Sequence, residues 1–187
     1  DLHFNDGFRS SDLRLTQLDA KMKVHPMKFK NFNGRIHIED EHLVVEELDG
    51  QIGKSKFSLD MNYYFGEDET IRKRDNHIGL KASHLDVDEL FNYNESPGQL
   101  AEKPSEHEDV FNIYELPFST MTIDLDIGHL NYHRYLLDDL HARLRTTHNH
   151  YIYIDTMRLN AAGGKIALSG YFNRSNKEKI YFSPNLK

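Results

Sequence analysis

Two histidine pairs and one carboxylate pair are the residues of this sequence whose types and spacing invite chemistry. His148-Asn149-His150 puts two imidazoles on one face of an extended strand, and His129 and His133 stand four positions apart. A metal centre needs at least a third ligand in fixed geometry. His-x-His beside a turn is more often a solvated pair in a histidine-rich chain, which is how these residues read. Asp124 and Asp126 share a strand face and suggest the paired acid and base of a glycosidase. They alternate with Thr120 and Thr122, however, on what reads as the wet side of a solvent-exposed edge. No Gly-x-Ser-x-Gly elbow occurs, and Ser169-Gly170 ends a strand instead of opening a helix. Gly163-Gly164-Lys165 lacks the spacing of a phosphate loop and is followed by a strand, which makes it a turn. Tyr63, Tyr64, Phe65, Tyr151, Tyr153, Tyr171 and Phe172 suggest a carbohydrate-stacking platform, against which stands the ordinary preference of aromatics for strands. The expectation is a protein without catalytic residues, metal or cofactor.

Bulk composition narrows the partners. The 187 residues carry 23 basic and 30 acidic side chains, net −7, with no long run of Lys or Arg. Nucleic acid is therefore an unfavourable partner. Cysteine is absent, which removes disulfides, thiol catalysis and thiolate-bound zinc and leaves the redox compartment open. Twelve histidines make the surface charge strongly pH-dependent below about pH 6. The hydrophobic share is 38% and the mean hydropathy −0.70, so the core must be narrow beside the roughly 45–50% apolar content usual in globular domains. No apolar run reaches the roughly 18 residues of a membrane span, and the first ten residues lack the layout of a secretory signal. Starting at Asp1, the chain reads as a piece or mature form of something longer.

The elements that must position any site are strands. Met121, Ile123, Leu125 and Ile127 alternate with Thr120, Thr122, Asp124 and Asp126, the period of a strand with one apolar and one wet face. Phe57, Leu59, Met61 and Tyr63 repeat the pattern, as do Ile36/Ile38, Leu43/Val45, Ile78/Leu80/Ala82, Leu140/Ala142/Leu144, Ile152/Ile154 and Ile166/Leu168. The short connections are rich in Gly, Asn and Asp, which predicts antiparallel neighbours. One short helix is expected near 86–91, with Asp86 as N-cap, Glu89 in capping-box position and Val87, Leu90 and Phe91 on one face. Tyr135 to Leu140 suggests a helical turn, read in preference as a turn at Asp138-Asp139. The acidic, proline-containing segment 94–117 reads as a mobile loop, and 66–76 as a smaller one.

The two halves also repeat. Asn31–Ile36 matches Asp139–Leu144 at a spacing of 108 residues, while Leu43–Leu48 matches Ile152–Met157 and Lys56–Leu59 matches Lys165–Leu168 at 109. The repeat spans approximately 31–65 and 139–173 within a single β-rich unit. Repetition of a strand-turn-strand unit favours an open, extendable array.

These units, with the strand-to-helix passage Ser83-His84-Leu85-Asp86-Val87-Asp88-Glu89-Leu90-Phe91 and the later Gly163-Gly164-Lys165-Ile166-Ala167-Leu168-Ser169-Gly170, resemble the C-terminal region of AsmA-like proteins of the Gram-negative envelope. The resemblance covers roughly 13–172 and rests on degenerate small-and-apolar patterns. It implies an inner-membrane tether in the parent protein, a periplasmic β-rich body, and a role in lipid homeostasis and outer-membrane biogenesis. Phospholipid or another hydrophobic ligand is the implied partner, with an envelope protein or self-association as further possibilities. The expected fold is all-β, a mostly antiparallel curved sheet or β-groove. Its apolar lining is expected to be Ile36, Ile38, Phe57, Leu59, Met61, Met121, Ile123, Leu125, Ile127, Ile166 and Leu168. The competing expectation is a closed β-sandwich that binds glycan or an envelope protein.

Overall fold

The computed structural model describes residues 2–4, 8–21, 27–91, 119–132, 134–176 and 179–186. Within them eleven strands form one sheet: β1 (Leu2–Phe4), β2 (Phe8–Lys21), β3 (Lys28–Glu39), β4 (His42–Ile52), β5 (Ser55–Tyr64), β6 (His77–Asp86), β7 (Met121–Tyr132), β8 (Tyr135–Thr146), β9 (Tyr151–Ala161), β10 (Gly164–Asn176) and β11 (Lys179–Leu186). Their order in space is their order in sequence, and the sheet stays open, with β1 and β11 at its edges. The fold is all-β, as the alternation predicts.

Every neighbouring pair is antiparallel except β6 and β7, which run parallel. The expectation that all consecutive strands pair antiparallel therefore fails at one place. A parallel pair needs a long connection back to the starting end. Here that connection comprises helix α2 (Val87–Phe91) and residues 92–118. The loop expected at 94–117 lies outside the described residues.

Among the described residues two short helices are present, not one. The second, α1 (Glu69–Asp75), occupies the segment read as a loop. Asp68 caps it by accepting from the Thr70 and Ile71 N–H groups at 2.8 and 3.3 Å. Glu69 lies in the first turn and Arg72, Lys73 and Arg74 in the last, so both charge clusters suit the helix dipole. Two turns with one apolar residue, Ile71, are too brief to display a 3.6-residue period. In α2, Asp86 caps as expected, accepting from the Glu89 N–H at 2.8 Å. Glu89 does not close a capping box. Its carboxylate instead accepts the Lys54 N–H, 2.8 Å away in the β4–β5 turn.

Tyr135 to Leu140 is strand, neither helix nor turn. Asp139 has φ +50°, and the β8–β9 register shifts between Asp138 and His141. A left-handed residue inside a strand is a β-bulge, and its Asp mimics a turn in sequence. Similar residues interrupt β2 at Gln17, β3 at Asn31 and β4 at Glu47, with φ of 49°, 53° and 48°. Each freed N–H finds an acceptor on the next or preceding strand: Gln17 on Asn33 Oδ1 (2.9 Å), Asn31 on Asp19 Oδ1 (2.7 Å) and Glu47 on Asp60 Oδ1 (2.9 Å). Bulges bend strands and increase twist, so these four positions curve the sheet. The matched sequence blocks fall on β3 and β8, β4 and β9, and β5 and β10, with Asn31 and Asp139 as corresponding bulges.

Ala82, Ile127, Leu140 and Ala142 form the buried centre, packed on by Phe57, Leu125, Leu144 and Met157 among others. At the other end of β6 from Ala82, Asn76 joins α1 to the strand and is 1% exposed. The centre belongs to β6, β7 and β8, so the parallel pair sits in the best-packed region.

Candidate hydrophobic-ligand site

Cross-strand partners share a face of a sheet, so the register identifies the apolar surface directly. One row runs Leu13, Ile36, Val45, Met61, Ile78, Ile123, Leu144, Ile154 from β2 to β9. A second runs Leu48, Leu59, Leu80, Leu125, Ala142, Met157, Leu168 from β4 to β10. Phe57, Ala82, Ile127 and Leu140 make a shorter third row. Ile38 pairs with Leu43, Ile166 with Leu159, and Met121 lies opposite Thr146, whose other partner is Ile152. Ten interstrand spacings of roughly 4.8 Å give the whole sheet a breadth on the order of 48 Å.

This face is incompletely covered. Of the eleven residues expected to line it, Ile127 alone is buried, at 2% exposure, and Ile166 is exposed at 37%. The other nine are half-buried. Among the described residues only eight hydrophobic side chains reach full burial. A β-sandwich would place a second sheet over these rows, and all described strands belong to one sheet. Phe32 shows the alternative that the chain adopts locally. Its ring leans across Gly50 to meet Phe57 at 5.8 Å, and a Cβ on Gly50 would lie 2.8 Å from it.

The opposite face is an ionic lattice. Asp124 accepts two bonds from Arg143, at 2.7 and 3.0 Å, and one from His77 at 3.0 Å. Asp155 accepts two from Arg145 at 2.6 and 2.7 Å, Asp126 lies 3.2 Å from His141, and Asp138 lies 2.7 Å from His129. Arg143, with a smaller contribution from His77, holds the Asp124 carboxyl below the usual range, and Arg145 does the same to Asp155. A general acid needs the opposite shift. Asp124 and Asp126 therefore serve as ion-pair partners. They also lie on a central strand, since β7 is flanked by β6 and β8, which corrects the expectation of an exposed edge. Shallow depressions on this polar side lie beside Gly79 and are bordered by Lys81, His141, Arg143 and Arg158.

The histidines do not converge. No group of three or more His, Asp or Glu side chains suited to a metal occurs among the described residues. His148 and His150 stand in the β8–β9 turn, with His148 Nδ1 3.8 Å from Glu69 Oε2, and His133 lies outside the described residues. Three of the singled-out tyrosines do meet on the polar side. Tyr151 and Tyr153 are 5.7 Å apart at 13°, Tyr171 lies 6.0 and 6.2 Å from them, and Arg145 sits 5.1 Å over Tyr153. Tyr64 is instead buried, hydrogen-bonded to Glu41 at 3.1 Å, while Phe65 is 51% exposed.

One acid-labile contact lies at the α1 end. Asp75 is bound by Arg74 at 2.5 Å and by His42 at 3.1 Å, and Arg74 first, then His42, depresses its carboxyl to about 2. A group depressed on folding contributes stability above its unfolded value near 3.8 and loses it as pH falls toward 2. Melting temperatures followed from pH 5 to pH 2 should therefore fall further for the wild type than for Asp75→Asn, the gap closing near pH 2. Parallel curves would remove Asp75 from the acid response.

Comparison with known proteins finds no matching family model, no similar curated protein and no similar solved structure.

Proposed function

We propose that the chain is a non-catalytic module that holds phospholipid acyl chains against the apolar face of its sheet. On this reading it is an AsmA-like component of the periplasmic side of the envelope that serves lipid homeostasis and outer-membrane biogenesis, its parent tethered in the inner membrane. The observation that carries the proposal is the continuity, across an open sheet, of two apolar rows most of whose members remain partly wetted. Each methylene of a lipid tail laid there gains roughly 0.8 kcal/mol, so even partial cover of one tail amounts to several kcal/mol. The rows contain no charged side chain, and the ion pairs between strands β7, β8 and β9 lie on the other side. A tail therefore meets no desolvation penalty along its length.

The test is co-purified and added lipid. Native mass spectrometry after gentle isolation should find phospholipid on the chain, and a fluorescent-lipid titration should saturate. Ile166→Glu, at an already exposed position on the apolar face, should weaken uptake about tenfold or more while leaving the melting temperature within a few degrees. No lipid by either method would reject the proposal.

A second reading is favoured by the tyrosine cluster. Tyr151, Tyr153 and Tyr171, beside the Arg145–Asp155 pair, offer aromatic surface and hydrogen-bonding groups to a glycan. A glycan array with Tyr153→Ala as control separates the two, since that substitution leaves the apolar rows intact.

A further inference from the structure

The β7–β8 turn, at one end of the sheet, carries the two most exposed large hydrophobic residues of the described chain. Leu136 is 72% exposed, Tyr135 70% and Tyr132 37%, all at the β7–β8 turn. Tyr132 and Tyr135 are cross-strand partners, two positions beyond the Leu130–Leu137 pair, so they continue the apolar face to the rim. Leu136 pairs with Asn131 and projects to the opposite face. Apolar side chains thus emerge on both faces of one tip. A folded partner seated on the sheet covers one face, whereas an apolar phase entered edge-on covers both.

The charges around the tip specify that phase. The neighbouring turns and strand ends at this rim carry exposed Lys21, Lys28, Lys54, Arg134 and Lys165. Of the nearby carboxylates, Asp138 lies 2.7 Å from His129 Nδ1, Asp139 accepts from Asn160 Nδ2 at 2.7 Å, and three others hold the turns together. Asp88 accepts the Arg134 N–H at 2.8 Å, Glu89 accepts the Lys54 N–H at 2.8 Å, and Asp86 lies 3.8 Å from Lys54 Nζ. The opposite rim presents Asp40, Glu41, Glu67, Asp68 and Glu69 beside Arg72, Lys73 and Arg74 of α1, so acidic and basic side chains alternate there. Tyrosine at an interface, with basic residues around it, matches the headgroup layer of a membrane.

We propose that this rim docks on an anionic lipid bilayer, with Tyr135 and Leu136 entering the interface and the surrounding lysines and Arg134 meeting the phosphates. The docking does not depend on acyl-chain binding along the sheet. Flotation should bring the chain up with vesicles containing phosphatidylglycerol, far less with phosphatidylcholine alone, and the difference should shrink in high salt. Tyr135→Ser with Leu136→Ser should cut binding about tenfold or more, at unchanged stability because both positions are exposed. The chain has no tryptophan. Tyr135→Trp therefore supplies a single reporter, whose emission brominated acyl chains should quench.

Unchanged flotation of the double variant, or an unquenched reporter, would overturn the proposal. So would a dimer in lipid-free buffer that the double variant converts to monomer, because the tip would then be a contact between copies. Leu136→Ser alone, which lies on the opposite face from the apolar rows, should keep uptake of a monomeric fluorescent lipid at the wild-type level while still weakening flotation. That measurement keeps failure of the rim apart from failure of the apolar face.

Discussion

Asn76→Ala is expected to lower the unfolding free energy by about 3 kcal/mol, read as a fall in the urea midpoint at unchanged slope. Asn76 is inaccessible and uses all four of its hydrogen-bonding groups. Its N–H donates to the Arg72 carbonyl at 2.9 Å, and its own carbonyl accepts the Thr122 N–H at 3.0 Å. Its side-chain Oδ1 accepts the Tyr64 N–H at 2.6 Å, and Nδ2 donates to Ser119 Oγ at 3.2 Å. The residue thus fastens the end of α1 to β5, β6 and the start of β7. Truncation leaves the backbone bonds but strands a buried N–H and a buried hydroxyl, each costing roughly 1–3 kcal/mol. The position matters because β6 and β7 are the parallel pair and have no hairpin turn to fix their register. Ser119→Ala should cost less, about 1 kcal/mol, since it removes one weak partner and leaves Tyr64 satisfied. A loss under about 1 kcal/mol for Asn76→Ala would show that the junction is held by strand pairing alone.

Ile123→Asp should abolish lipid uptake and cost about 3 kcal/mol or more, whereas Asp124→Ala should leave uptake intact and change stability by no more than about 1 kcal/mol. The two residues are neighbours in sequence and opposite in consequence. Ile123 stands between Ile78 and Leu144 in the longest apolar row, and a carboxylate there has no cation within the row. Asp124 faces Arg143 and His77 on the polar side, where its side chain keeps 36% exposure and water screens the pairs. Should Ile123→Asp fail to fold, Ile166→Glu carries the functional half of the comparison, because its site is already open. Equal damage from Ile123→Asp and Asp124→Ala would mean that the polar lattice, and not the apolar rows, holds the sheet.

The alternation of side chains was enough to divide Met121–Ile127, Phe57–Tyr63 and Ile166–Leu168 into two faces, because a strand's period of two is a local property of the backbone. Asp86 was legible as a helix cap for the same reason, since the atoms it serves lie three residues away. Tertiary structure alone decided the features that depend on strands far apart in sequence. The parallel docking of β6 and β7 could not be read from either strand, and it gave Asp124, already paired with Arg143 of β8, His77 as a second partner on its other side. Bulges at Gln17, Asn31, Glu47 and Asp139 resemble turns in sequence, and at the first three the acceptor that satisfies the freed N–H lies on an adjacent strand. Helix α1 was hidden because its stability comes from its cap, its charges and Asn76 rather than from an apolar stripe. The exposure of Tyr135 and Leu136 likewise depends on where the sheet ends. Periodicity is written one residue at a time, but coverage of a face depends on what the rest of the chain lays over it.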